Sequence, residues 1–592
     1  WKKVDSLENL GQFQTARDEV MKIYRLSKEK GHADQQIRAL LVKAALEENF
    51  MEESWEEAIA FTENEIGSSP VPVRQVLWSI QAGLNSRYYQ MNSWKINGRT
   101  PLTGNSPGDL TTRDAAWFAK TTTRLFLLSL SEADTLKQTP LSQYQAMLTG
   151  DGKSRKYRPT LYDFLAFRAL AYFSGEKPGM IQPSRSFTLN DPHYFGPRAV
   201  FTELSLLEEK DESFEGQAYR IYRDLLLFRA GDSGNRDALA DADLARLAWV
   251  YQKSNLPQKD SLYTDALLSL FHEFEDHPVA ADILYALANQ LRWAGNKYSP
   301  AKEEAYRWKY SEALQWAEKC IRDYPGTDGA HNCTILAAEL KATSLRSTAP
   351  KAVVPGKPSL TLLQFKNLEK VWFRIIPLKP EEAITLRINN RAEQLKTWLD
   401  RSALTHWEIT LPVDSDYRTH TTEVQIPALK PGYYLVAASS TPHFDKEASM
   451  ALWPLWSSRL SLVERRKANG DSDVMVIDRE NGVPLENVKI VPWFRRYDLA
   501  RKKEIDESSA PLYTNARGEA SVTLSPQTER NLSYFLELTL DKEKFITPAW
   551  FAGYYRENEN TAMTRTFLFT DRAIYRPGQT VWYKGIVVDL HG

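Results

Sequence analysis

The sequence predicts a multidomain chain: an all-α helical repeat array followed by all-β sandwiches. Three observations predict it. Apolar residues recur at helical spacing over residues 1–346, and part of that region repeats. A stretch with three Pro and one Gly follows at 347–358, STAPKAVVPGKP. Beyond it the apolar period drops from 3.6 to 2. At 592 residues the chain is too long for one core, so three to five domains are expected.

The repeat is read by aligning Tyr310, Ala313 and Leu314 with Tyr263, Ala266 and Leu267, an offset of about 47 residues. The same offset superposes Leu270 on Ala317, Phe274 on Ile321 and Pro278 on Pro325. A third copy is Trp55, Ala58, Ile59, Thr62, Ile66 and Pro70. Small and large apolar residues at i, i+3 and i+4 make one helical face, and each Pro stops one helix and can start the next. Such a tetratricopeptide-like hairpin must stack on neighbours to bury that face. Residues 160–173, preceded by Pro159, and 244–251 read as further helices, and 92–110, with Gly and Pro interspersed, as a long loop.

Residues 347–358 read as a linker. In the next domain, 359–455, Val371, Phe373 and Ile375 alternate with Trp372, Arg374 and Ile376 until Pro377 ends the strand. Residues 424–426, the turn Leu429-Lys430-Pro431-Gly432 and residues 433–437 give strand, turn, strand. A second sandwich, 456–562, opens with strands at 474–477 and 488–491 flanking Asn481-Gly482, a hairpin signal. A turn at 514–518 precedes a strand at 520–524, and later strands fall at 534–540 and 550–555. A third sandwich starts at 563 and runs to 592, about 25 residues of a fold that needs roughly 90–100, so the chain is expected to be an N-terminal portion of a longer polypeptide.

That last stretch carries the densest motif. Residues 570–585 read TDRAIYRPGQTVWYKG: an apolar strand leads in, Pro577-Gly578 turns, and β-formers follow at Val581, Trp582 and Tyr583. The segment resembles the TDRxxYRPGxxV-x-x-K stretch of the alpha-2-macroglobulin family, where it opens a macroglobulin β-sandwich. A helical array followed by serial sandwiches resembles the large bacterial members, especially a branch with a long helical N-terminus found in Bacteroidota. YRPTLYDFLAFRAL (157–170), LKPGYYLVAAS (429–439) and DRENGVPLENVKI (478–490) look like that branch. The resemblance implies an endopeptidase inhibitor, a protease trap of the cell envelope, periplasmic or outer-membrane-associated, whose partners are proteases. The alternative keeps the fold and makes the array a non-inhibitory platform docking onto an outer-membrane transport or assembly complex.

The composition excludes other classes. Seventy-five basic residues balance 76 acidic ones, so no basic surplus marks a nucleic-acid binder. No apolar run approaches the ~18–20 residues that span a bilayer. No cofactor is expected: GxxxxGK[ST] and GxGxxG are both missing. The family's Cys-x-Glu-Gln thioester motif is not found either, since Cys320 is followed by Ile-Arg-Asp and Cys333 by Thr-Ile-Leu. These two cysteines flank Pro325-Gly326. Facing helices joined by a short turn can bring them within disulfide reach, which would stabilise by ~2–3 kcal/mol; two free buried thiols are the other reading.

Gly231-Asp232-Ser233-Gly234 has the look of a serine-protease nucleophile loop, but Asn235 follows, and an interhelical turn fits better. His272-Glu273 lacks the second zincin histidine, because position 276 is Asp276 and His277 is one place too far. No metal and no catalytic residue are expected, and the protein reads as non-enzymatic. Within the key segment, Thr570, Asp571, Arg572, Tyr575, Arg576, Pro577 and Gly578 read as structural. An Arg–carboxylate pair and a tyrosine-corner-like contact from a mostly buried Tyr575 would hold the sandwich edge.

Overall fold

The structure is a computed structural model. It describes the chain apart from residues 52–53, 100–109, 150–151, 176–186, 205–211, 386–396, 413, 446, 468–470, 499–502, 524–531, 548–550, 554–563, 573–574, 576–578 and 590–592. Two compact units emerge, Trp1–Ala337 and Ala338–Gly592.

The first unit is helical, and its described β pairing is an isolated bridge between Pro140 and Thr160. The three repeat copies fall on the helices Ser54–Ser68, Lys259–Phe274 and Lys309–Asp323. Most of their aligned positions are buried: Ala58, Ile59 and Thr62; Tyr263, Leu267, Leu270 and Phe274; Ala313, Leu314 and Ala317; Trp55, Ile66, Ala266, Tyr310 and Ile321 are half-buried. Each is followed by a further helix, Val73–Ile96, Ala280–Gly295 and Asp328–Lys341, with the aligned prolines in the connections. Gly329 marks a close approach: a Cβ there would meet the Ala281 backbone carbon at 2.3 Å, so the helices Ala280–Gly295 and Asp328–Lys341 meet backbone to backbone. The loop expected from residue 92 starts later. The helix runs on to Ile96, because Tyr88, Tyr89 and Ile96 bury one face against Phe118 and hold its last turns.

Pro159 precedes the helix Leu161–Ser174, whose N-cap is Thr160. Asp163 N–H donates to Thr160 Oγ1 at 3.4 Å, and Thr160 N–H donates to Asp163 Oδ2 at 2.9 Å, a reciprocal capping box. Arg229, buried on the helix Phe214–Ala230, donates from Nε to Asp163 Oδ1 at 2.9 Å and from Nη1 to Asp232 Oδ2 at 2.7 Å. Arg246, equally buried, holds Asp243 and reaches the carbonyls of Tyr194 and Gly196 at 2.7 and 3.0 Å. These guanidiniums satisfy backbone and carboxylate groups that burial would otherwise leave unpaired.

The second unit is β. Its strands are β1 (Ser344–Thr348), β2 (Ala352–Val353), β3 (Ser359–Lys366), β4 (Lys370–Leu378), β5 (Thr405–Thr410), β6 (Thr419–Ile426), β7 (Gly432–Ser439), β8 (Met450–Ser457), β9 (Leu460–Arg466), β10 (Ser472–Asp478), β11 (Lys489–Asp498), β12 (Lys503–Ser508), β13 (Leu512–Tyr513), β14 (Glu519–Val522), β15 (Leu532–Leu540), β16 (Glu543–Ile546), β17 (Phe551–Gly553), β18 (Thr564–Thr570) and β19 (Tyr583–Asp589). The expected linker at 347–358 is not a spacer. β1 pairs antiparallel with β3, and β2 pairs parallel with β8, so Leu345 and Val353 enter the sandwich core and hold this stretch in the fold.

The first sandwich faces β1-β3-β6 against β2-β8-β7-β4-β5. Val371, Phe373 and Ile375 point into its core with Phe365, Val424 and Leu455. Pro377 does not end β4, whose pairing with β7 continues through Pro377–Tyr434 to Leu378–Tyr433. The turn at 429–432 carries the chain from β6 in one sheet to β7 in the other.

The Asn481-Gly482 turn does the same. Gly482 sits at φ +74° and Asp478 N–H donates to Val483 O at 2.8 Å, but β10 joins β9 and β14 while β11 joins β12, β13 and β15. The expected hairpin is therefore an inter-sheet crossing, and the bridge Ile477–Pro484 is all the pairing the turn supports. Gly518, also at φ +74°, lies so close to Val476 O that a Cβ would come within 2.4 Å of it. Ile376, Leu378, Tyr433, Leu435 and Trp456, on the outer face of the five-stranded sheet, share one core with Val474, Val476, Ile490, Leu536 and Phe545 of the second sandwich.

Candidate functional site

The motif expected to define the chain begins on β18. This strand pairs antiparallel with β19 from Thr564–Asp589 to Thr570–Tyr583, as two β-forming runs around a turn require. The connection between them is organised by Asp571. Its Oδ1 accepts from Trp582 N–H at 3.1 Å and from the Tyr575 hydroxyl in a short bond. The same hydroxyl accepts from Arg572 N–H at 3.0 Å, and Thr570 Oγ1 donates to Arg572 O at 2.5 Å. The Tyr575 bond, with Trp582 N–H and Arg572 nearby, holds the Asp571 carboxyl below the usual range.

Tyr575 is half-buried, where a mostly buried ring was expected. Its hydroxyl is used up inside the loop, so the ring closes the connection locally. The tyrosine-corner-like backbone contact is the bond to Arg572 N–H. The carboxylate pairing is with the neighbouring Arg572, Nε to Oδ2 at 3.7 Å. Arg576, Pro577 and Gly578 lie outside the described residues. The strands present Leu568, Tyr583 and Val587 to solvent, and Trp582, just before β19, is exposed as well.

Cys320 and Cys333 are both fully buried free thiols on the helices Lys309–Asp323 and Asp328–Lys341. Cys320 donates its S–H to Ala281 O at 3.4 Å. The hydrogen bond with Cys320, burial and the charge of Asp282 push the Cys333 thiol far up. The expected disulfide is not formed in this structure, where both cysteines stand as free thiols.

The hydrolase-like motifs are turn and helix-end features. Ser233 sits between the helices Phe214–Ala230 and Arg236–Lys253, and the Asp232 carboxylate is taken by Arg229 and by Asn235 Nδ2 at 2.7 Å. His272 lies in the last turn of the helix Lys259–Phe274, and His277 Nδ1 lies 3.3 Å from Asp237 Oδ1.

Two clusters escaped the sequence reading. Asp237 and Asp241, one turn apart on the helix Arg236–Lys253, face Asp282 and Tyr157. Tyr157 donates to Asp282 Oδ2 at 2.9 Å, and Arg158 Nε stands 3.5 Å from Asp241 Oδ2. Burial raises the Asp241 carboxyl to about 6 against the pull of Arg158. The i, i+4 carboxylates are visible in the sequence, but nothing there places Asp282 beside them.

Asp414, Asp416 and His420 bring ligand atoms within 4.8 Å of one another, the one described group of that geometry able to hold a metal ion. The buried Asp416 Oδ1 accepts from Arg418 N–H and faces His420 Nε2, both at 2.9 Å, which accounts for the arrangement without an ion. The D-x-D-x-x-x-H spacing is its sequence signal.

No family model matches the chain, and no curated protein matches it. Among solved structures, the chain is similar to a crystal structure of native alpha-2-macroglobulin from Escherichia coli spanning domains MG0-NIE-MG1, at 14% identity and a TM-score of 0.24. The match covers 35% of this chain and 63% of that one. None of the described helices is long and apolar enough to cross a membrane.

Proposed function

We propose that this chain is the N-terminal scaffold of an alpha-2-macroglobulin-like protein of the bacterial cell envelope, a broad-spectrum protease trap. The supporting observation is the TDRAIYRPGQTVWYKG segment at 570–585, which matches that family's motif and enters a β-ribbon. The succession of helical array and sandwiches agrees with it. In this reading the chain has no turnover of its own. It supplies the array and the first wall of a shell that closes around a protease after bait cleavage. No thioester motif follows Cys320 or Cys333, so this part forms no covalent bond to the protease.

The test uses the full gene product mixed with several endopeptidases. A shell blocks large substrates and admits small ones, so activity on a protein substrate is expected to fall while activity on a short peptide persists. Undiminished activity on both, with the chain left uncut, rejects the proposal.

A further inference from the structure

A cavity of about 530 Å³ opens on the face of β4 and β5 that carries Trp372, Arg374, His406 and Glu408, walled by Arg401, Pro442 and Phe444. Trp372 opposes Glu408, and Arg374 opposes His406, as direct partners on the ladder, so the four side chains share one sheet face. The charges there are not balanced. Glu408 is held by Lys370 at 3.0 Å, and Arg401 grips Glu382 with two bonds, at 2.7 and 3.1 Å. Arg374 has no carboxylate partner among the described residues. Its Nη2 donates to Pro442 O at 3.0 Å, and its guanidinium lies 4.3 Å from the Phe444 ring centroid. Those contacts fix the plane of the fork, and no described carboxylate compensates its charge.

We propose that this cavity binds a carboxylate carried on an apolar or aromatic body. Arg374 pairs with the carboxylate, and Trp372 and Phe444 flank the body. A planar guanidinium matches a carboxylate in two parallel hydrogen bonds, and one unpaired positive charge complements one negative charge. A phosphate dianion would need a second free cation, and the other guanidinium of the wall is already engaged by Glu382. The inference is independent of the proposed protease trap.

The test is calorimetric titration of the full chain with N-acetyl-phenylalanine, its primary amide, and N-acetyl-aspartyl-phenylalaninamide. The free acid is expected to bind saturably, and the amide at least about tenfold more weakly, the scale of one charge-assisted hydrogen bond. Stronger binding by the first probe assigns the site to chain termini, and by the third to acidic side chains. Arg374→Gln is expected to weaken the preferred acid by at least about tenfold with the melting curve unchanged. Should that variant unfold, Arg374→Lys keeps the charge without the fork and is expected to lose part of the affinity. Equal binding of acid and amide, no binding of either acid up to about 10 mM, or full affinity in a folded Arg374 variant overturns the proposal.

Discussion

Arg229 shows what one buried charge does in the helical unit. It joins the capping box of the helix Leu161–Ser174 to the Asp232 turn, and its removal leaves the Asp163 carboxylate buried without a charged partner. Arg229→Ala is expected to destabilise the unit by roughly 3–5 kcal/mol, read as a shift of the urea midpoint. Ser233→Ala, one residue beyond the partner Asp232, is expected to leave the midpoint in place. Asp241 acts in the opposite sense. Burial raises its carboxyl from 3.8 to about 6, so the folded state holds a proton that the unfolded chain releases. Its contribution is fully present below about pH 4 and is lost as the pH rises through 6, at most about 3 kcal/mol. Melting temperatures should therefore fall between about pH 4 and 6, and Asp241→Asn should flatten that slope. An unaltered slope in the variant would assign it to other groups.

At the scale of elements, the helix hairpins were legible because each buries a face whose spacing is local, from Tyr263 to Phe274 and again from Tyr310 to Ala317. What the spacing could not show is how near the helices come. Gly329 touches the Ala281 backbone, and Gly329→Ala is expected to force the helices apart at about 1–3 kcal/mol, measured by thermal melting. The cysteine pair belongs to the same packing. We propose that it closes to a disulfide under oxidising conditions, with loss of both thiols and 2 Da in intact mass as the readout, ~2 Da being two hydrogens. Two titratable thiols after denaturation of oxidised protein would reject it. In the β unit, Asn481-Gly482 was read as a hairpin from its turn chemistry. The turn is there, but which sheet receives the next strand depends on core contacts of Val488 and Ile490 far along the chain.

At the scale of the molecule, the five-stranded sheet of the first sandwich lends residues to two cores, and β7 is buried along nearly its whole length. Trp456 sits where the two sandwiches merge, 4.5 Å from the Tyr433 ring and 5.2 Å from Phe545. Trp456→Ala is expected to cost about 3–5 kcal/mol and to lower the stability of both sandwiches together. Hydrogen exchange resolved to β7 and to β15 would check this, and weakened protection in one sandwich alone would contradict a shared core.

The sequence by itself determined the order of the molecule: a helical array, expected to 346 and ending at Lys341, then strands, with the repeat copies and the β18–β19 pair in place. Those follow from periodicity and turn residues, which act over a few positions. It did not reveal that 347–358 is part of the sandwich, that Pro377 lies within a strand, or that Tyr575 closes its own loop. Nor did it show that Arg374 has no carboxylate partner among the described residues, or that Asp414, Asp416 and His420 meet. Each of these depends on partners distant in the chain or on hydrogen bonds that exist only once backbone and side chain are placed, so only the tertiary structure decided them.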